Sequence, residues 1–237
     1  EVLNDFIKLK SFKFNRVIMK RLLLSLLLLA SVSLNAQVVI YGSESAESSE
    51  DWTAGNGFNG WSAQHNGNSG KYDGNPADAG ISTTNIGTTA FSFYANDAQY
   101  TDAFLQFDEE MQVGEKLTFY WAMNWDTGSG SKGFELQHSS TSSATKLIEI
   151  KNTNSAALEA IHSGSSETAQ SNYGTNAMLV TLDRTSNSQY TFSMTARDGT
   201  SPTYSSTINS TDAVDQIKIY IGTVSYTHLT LPTIAGV

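Results

Sequence analysis

Tyr120, Asn124 and Asp126 are separated by even intervals, so on an extended strand their side chains project from one face. An aromatic ring gives the apolar face of a pyranose a surface to stack on. An amide and a carboxylate beside it exchange hydrogen bonds with the hydroxyls, which is the chemistry of a saccharide site. Glu135 and Gln137 repeat the spacing on the next run and are expected to add polar groups to the same face. In Asp73-Gly74-Asn75-Pro76-Ala77-Asp78 the oxygens of Asp73, Asn75 and Asp78 come close on a tight turn, as calcium prefers, and calcium is the one cofactor this implies. The same residues also read as an Asx-type turn holding no ion. Trp52, Trp61, Tyr72, Tyr94, Tyr100 and Tyr173 add an aromatic supply in polar surroundings, where the two tryptophans read as plugs for the end of a β fold.

Catalytic constellations are sparse. Asp108-Glu109-Glu110 sits between a strand and the Gly114 turn and reads as a solvated loop. His65 and His162 have no partner at metal-ligand spacing, and nothing joins Ser, His and Asp into a triad. No glycine-rich phosphate loop links a strand to a helix.

The elements that must position these residues are strands. Ten β-branched and aromatic runs separated by turns are predicted: Ala90–Ala95, Thr101–Phe107, Lys116–Trp125, Gly133–His138, Lys146–Lys151, Ala156–Ile161, Ala177–Asp183, Gln189–Ala196, Tyr204–Ile208 and Val214–Ile221. Leu117, Phe119, Trp121, Met123 and Trp125 share one face, and Tyr190, Phe192 and Met194 do so elsewhere against Thr191, Ser193 and Thr195. A sheet with one apolar face must bury it on another sheet, so the expected fold is all-β, an antiparallel two-sheet sandwich. Residues 42–89, rich in Gly, Asn, Ser and Asp, read as long loops around one or two short strands.

The ends carry their own signals. Met19-Lys20-Arg21, the apolar run Leu22–Leu29 and the close Leu34-Asn35-Ala36 before Gln37 have the three zones of a secretory signal peptide, too short to span a bilayer, which needs about 20 residues. Residues 1–18 then read as an upstream stretch and 19–36 as the signal. The Asn-Ala-Gln ending resembles export signals of the type IX route of Gram-negative bacteria, which implies the medium or the outer cell surface. Ser225-Tyr226-Thr227-His228-Leu229-Thr230-Leu231-Pro232-Thr233-Ile234 resembles translated sequencing adaptor, so 223–237 reads as an artefactual tail and 37–222 as the single domain. At 186 residues that domain can bury about 70% of its unfolded surface.

Residues 37–237 hold 8 Lys and Arg against 21 Asp and Glu, a balance of −13. So acidic a surface repels phosphate backbones and anionic lipid, which argues against nucleic acid and membrane as partners. With no cysteine, neither disulfide nor lipoprotein anchor is available.

Phe91-Ser92-Phe93, then Gly133-Phe134-Glu135-Leu136-Gln137, and finally Asp215-Gln216-Ile217-Lys218-Ile219-Tyr220 follow in an order and composition that resembles the concanavalin A-like jelly-roll domains of secreted bacterial lectins and glucanases, over about residues 50–222. The resemblance implies a jelly roll, a polysaccharide or glycan partner, and one further strand after Tyr220, which a domain ending at 222 would lack. The glucanases place Glu-x-Asp-x-x-Glu on one strand, with two carboxylates about 5 Å apart, and no such motif occurs here. The alginate-lyase relatives use Gln and His on one strand; Gln137 and His138 are adjacent and point to opposite faces. The expected function is a secreted or surface-exposed, non-catalytic carbohydrate-binding module of a larger protein. A structural or adhesive surface domain is the alternative, and a glycoside hydrolase or polysaccharide lyase the second.

Overall fold

The structure, a computed structural model, describes residues 61–79, 90–96, 99–123, 130–139, 144–153, 157–170, 178–196, 204–222 and 227–230. The chain divides into two units, Glu1–Ala36 and Gln37–Val237, and every described residue belongs to the second. Residues 19–36, read from sequence as an export signal, therefore lie outside the described residues.

Fourteen strands are described: β1 Trp61–His65, β2 Ser69–Gly74, β3 Ala90–Ala95, β4 Tyr100–Gln106, β5 Lys116–Met123, β6 Ser131–His138, β7 Thr145–Thr153, β8 Leu158–His162, β9 Ser165–Gln170, β10 Met178–Ser186, β11 Gln189–Ala196, β12 Tyr204–Asn209, β13 Gln216–Gly222 and β14 Thr227–Thr230. They form two seven-stranded sheets. The first has the order β1-β4-β13-β6-β7-β8-β9 and the second β12-β11-β10-β5-β14-β3-β2, with antiparallel pairing throughout. The protein is a two-sheet antiparallel β-sandwich.

Period-2 alternation builds the core between the sheets. Ala103 and Leu105 of β4, Ile217, Ile219 and Ile221 of β13, and Phe134 and Leu136 of β6 are buried on the first sheet. Leu117, Phe119 and Trp121 of β5, Val180 and Leu182 of β10, and Phe192 and Met194 of β11 are buried on the second. Phe134 joins the two: its ring packs edge-on against Phe119 at 5.2 Å and Trp121 at 5.4 Å, and lies 6.5 Å from Phe192. Trp61, in β1, is part of this core, whereas Trp52 lies outside the described residues.

The structure adds strands that the sequence pattern did not announce. β9 is polar, and as a sheet edge it buries only Ala169 among its described side chains, so it shows no apolar alternation. Its hairpin with β8 turns at Ser163 and Gly164, both at positive φ (51° and 75°), as a two-residue type I′ turn demands. The larger correction is at the C-terminal end. The expectation of a missing last strand, with β13 beside an unfilled place, is overturned: β13 pairs with both β4 and β6, and β14 is seated between β3 and β5 in mid-sheet. Thr227–Thr230, read from sequence as an artefactual tail, thus takes a central ladder position.

At one open side, side chains tie the sheets together. Glu167 of β9 accepts hydrogen bonds from the Tyr204 hydroxyl of β12 (2.5 Å) and from His162 Nε2 of β8 (3.0 Å), and Ser206 Oγ lies 3.1 Å from the same Nε2. Serine and carboxylate meet one imidazole nitrogen, whereas a nucleophilic relay needs opposite nitrogens. The group is a clasp. The Tyr204 hydroxyl, with help from His162, holds the Glu167 carboxyl below the usual carboxylate range. A lowered folded value means stability that is present above the unfolded value and lost as pH falls through the folded one. Glu167→Gln is therefore expected to lower Tm near neutrality and to match the parent protein in acid, below the carboxylate range. Thermal melts across pH check this; a Tm difference independent of pH would contradict it.

Candidate functional site

The outward face of the first sheet carries a polar and aromatic surface. Three rows cross it by strand register. One runs Phe104, Lys218, Glu135, Glu149 over β4, β13, β6 and β7; the next runs Asp102, Tyr220, Gly133, Lys151 over the same strands; the third is Gln106, Gln216, Gln137, Lys146. The glutamines form a ladder, Gln137 Nε2 donating to Gln216 Oε1 and Gln216 Nε2 to Gln106 Oε1 (2.9 Å).

Lys146 belongs to this face because of a bulge. Residues three apart on a regular strand point to opposite sides, yet the register between β6 and β7 shifts at Leu136 and Gln137, so that Gln137 faces Lys146 and Leu147 is the extra residue. Lys146 Nζ thereby lies 2.9 Å from Glu149 and 3.1 Å from Glu135. Tyr220 donates to the other Glu149 oxygen at 2.5 Å. Its phenol, rooted on β13, reaches a carboxylate on β7 and so crosses β6, in the row where β6 has Gly133. Lys218 pairs with Asp102 at 3.5 Å and stands 5.8 Å from the Phe104 ring centre and 5.2 Å from that of Tyr220.

Burial and partners set the charge states. Burial alone would raise the Glu149 carboxyl, but the hydrogen bonds from Tyr220 and Lys146 outweigh it and hold it below its ordinary value. Burial pushes Asp102 up despite Lys218. Burial works against the Lys146 ammonium, yet its two carboxylate partners raise it overall. The Tyr220 hydroxyl is pushed far up, by burial first and then by Glu149, so it remains a donor.

The residues expected to form one site are split. Glu135 and Gln137 are on this face, both buried, while Tyr120 is half-buried on the outward face of the second sheet, opposite Leu179 of β10. β5 neighbours β10 and β14, not β6, so the expected juxtaposition of Tyr120 with Glu135 and Gln137 does not occur. Asn124 and Asp126 lie outside the described residues, as does Tyr173. Asp73 falls in β2. Asn75 and Asp78 are exposed, and Asn75 closes a turn itself: its Oδ1 accepts from the Ala77 N–H at 3.0 Å and its carbonyl from the Asp78 N–H at 3.0 Å. That is the Asx-type geometry. Among the described residues no three His, Cys, Asp or Glu side chains converge as a metal site requires. Asp108, Glu109 and Glu110 are exposed, and His138 Nδ1 donates to the Ala213 carbonyl at 2.9 Å. Phe104, Glu149, Lys218 and Tyr220 were not singled out from sequence. The available signal was parity: Phe104 and Tyr220 are aromatic where their strands alternate to the polar side.

No protein-family model and no curated protein sequence matches the chain. Among solved structures it is similar to a sialidase, at 6% identity and TM-score 0.43 over 62% of this chain, and it spans 15% of that protein. A Shewanella oneidensis MR-1 protein of unknown function aligns at 11% identity and TM-score 0.40, covering 76% of this chain and 82% of the other. A family 11 carbohydrate-binding module of a Clostridium thermocellum cellulosomal cellulase aligns at 10% and 0.35, covering 83% and 95%. Likenesses at this level assign neither a family nor a ligand. No helix among the described residues is long and apolar enough to cross a membrane.

Proposed function

We propose that the protein is an exported, non-catalytic carbohydrate-binding β-sandwich whose glycan lies on the outward face of the first sheet. One observation carries the reading: on the side of the first sheet away from the core, the half-buried Phe104 ring and the largely buried Tyr220 ring, 8% exposed, stand beside carboxylates, amides and ammonium groups from four adjacent strands. Rings for stacking beside fixed hydrogen-bonding groups are what a saccharide surface requires. Glu135 and Glu149 do face each other, but Lys146 stands between them and Glu149 is held ionised, whereas a glycosidase acid needs a raised value. The Met19–Ala36 reading supports export to the medium or cell surface.

Tyr220→Ala is expected to weaken glycan binding at least about tenfold, equivalent to roughly 1.4 kcal/mol, and Phe104→Ala to act in the same direction. Tyr120→Ala, on the other sheet, should leave it unchanged. Calorimetric titration against a glycan panel checks this. Binding lost with Tyr120 but kept without Tyr220 would move the site to the second sheet, and no binding to any glycan would leave a structural or adhesive role.

A further inference from the structure

We propose that glycan binding at this face takes up a proton, because a ligand reaches the carboxylates of Glu135 and Glu149 by displacing the Lys146 ammonium that separates them. The inference rests on the glycan-site reading above.

Glu135 and Glu149 stand directly opposite on β6 and β7, with side chains only 8% and 10% exposed, while Lys146, within 3.1 Å of both, is 47% exposed. The order of exposure puts the ammonium on the solvent side of the carboxylates. The bulge in β7 is what aims it there, and bulges that re-aim a side chain gather at functional sites. Among the other charged groups facing the pair, Lys151 also lowers Glu149, by less than Lys146 does. Lys218 of β13, opposite Glu135, is engaged with Asp102 of β4; Lys151 of β7 stands beside Glu159 of β8; Tyr220 of β13 remains a neutral donor to Glu149. Lys146 thus sets the charge balance of the pair.

A sugar hydroxyl in its place is neutral. Two carboxylates so close and so buried do not both stay ionised, so one proton passes from solvent to the pair while Lys146 keeps its own and moves into water. The half-protonated pair then offers both a donor and acceptors, which suits a hydroxyl. Because the bound state holds the extra proton, binding tightens as pH falls.

The experiment is calorimetric titration with cellohexaose, laminarihexaose, xylohexaose and mannohexaose in buffers of small and large ionisation enthalpy, at several pH values. The expected result is uptake approaching one proton, with affinity rising by up to about tenfold per pH unit on the acid side of neutrality, and loss of both effects in Glu135→Gln. Binding with no proton uptake and no pH dependence overturns the proposal and leaves the glycan site standing. Binding by none of the four at any pH counts against the glycan site itself. A ligand-free measurement stands independently: in Lys146→Met, carbon-13 titration should show one carboxyl of the pair moved above its position in the parent protein, and unchanged titration of both overturns the proposal.

Discussion

Phe134→Ala is expected to lower unfolding stability by about 3–5 kcal/mol, the range for deleting a fully buried aromatic ring. Phe134 has no exposed surface, and its ring meets Phe119, Trp121 and Phe192 of the facing sheet. Each aromatic pair contributes roughly 0.5–1.5 kcal/mol beyond the area buried, so removing one ring forfeits several pairs at once. A domain with a total stability of about 5–15 kcal/mol is left marginal by that loss. Urea unfolding followed by tryptophan fluorescence measures it, with the midpoint falling and the slope unchanged. Phe134→Leu, which keeps most of the volume, should lose clearly less. Equal losses for the two variants would mean that ring contacts between the sheets contribute little.

Gly133→Ala is expected to damage both the fold and the glycan site. A Cβ at Gly133 would lie 1.9 Å from the Ile150 carbonyl oxygen, a backbone atom that no rotamer change can move. Relief requires β6 and β7 to separate, which costs about 1–3 kcal/mol on the scale of overpacked interiors. Those two strands carry Glu135 and Glu149, and the Tyr220 ring crosses β6 at this row, so the substitution should also weaken glycan binding more than tenfold at temperatures where the protein stays folded. Gly164→Ala is the control. Its φ of +75° strains any side chain by roughly 1–2 kcal/mol, but no atom lies within 4 Å of the added methyl, so stability falls while glycan affinity holds. Equal affinity in the two variants would show that the close approach of β6 and β7 does not support the site.

The facing of residues within a strand was legible from the sequence, because period-2 alternation is local. Leu117, Phe119 and Trp121 had to share a face, Glu135 and Gln137 had to oppose Phe134 and Leu136, and a sandwich followed from the need to bury one side of each sheet. The Ser163-Gly164 turn was not read from the sequence, although a positive-φ pair between two strands is a feature of the same local kind. Alternation says nothing about which strand lies beside which. Tyr120 and Glu135 are close in sequence, yet β5 and β6 belong to different sheets and their outward faces point away from each other. Glu135 and Glu149 meet across two strands, which a search for a motif along one strand could not find. Lys146 was further hidden by the bulge, since strict parity assigns it to the side opposite Glu149. Side-chain period is a property of the backbone of each strand, whereas strand order, register and bulges are settled by pairing between residues far apart in the chain, and only the folded sheet brings Tyr220, Glu149 and Lys146 together.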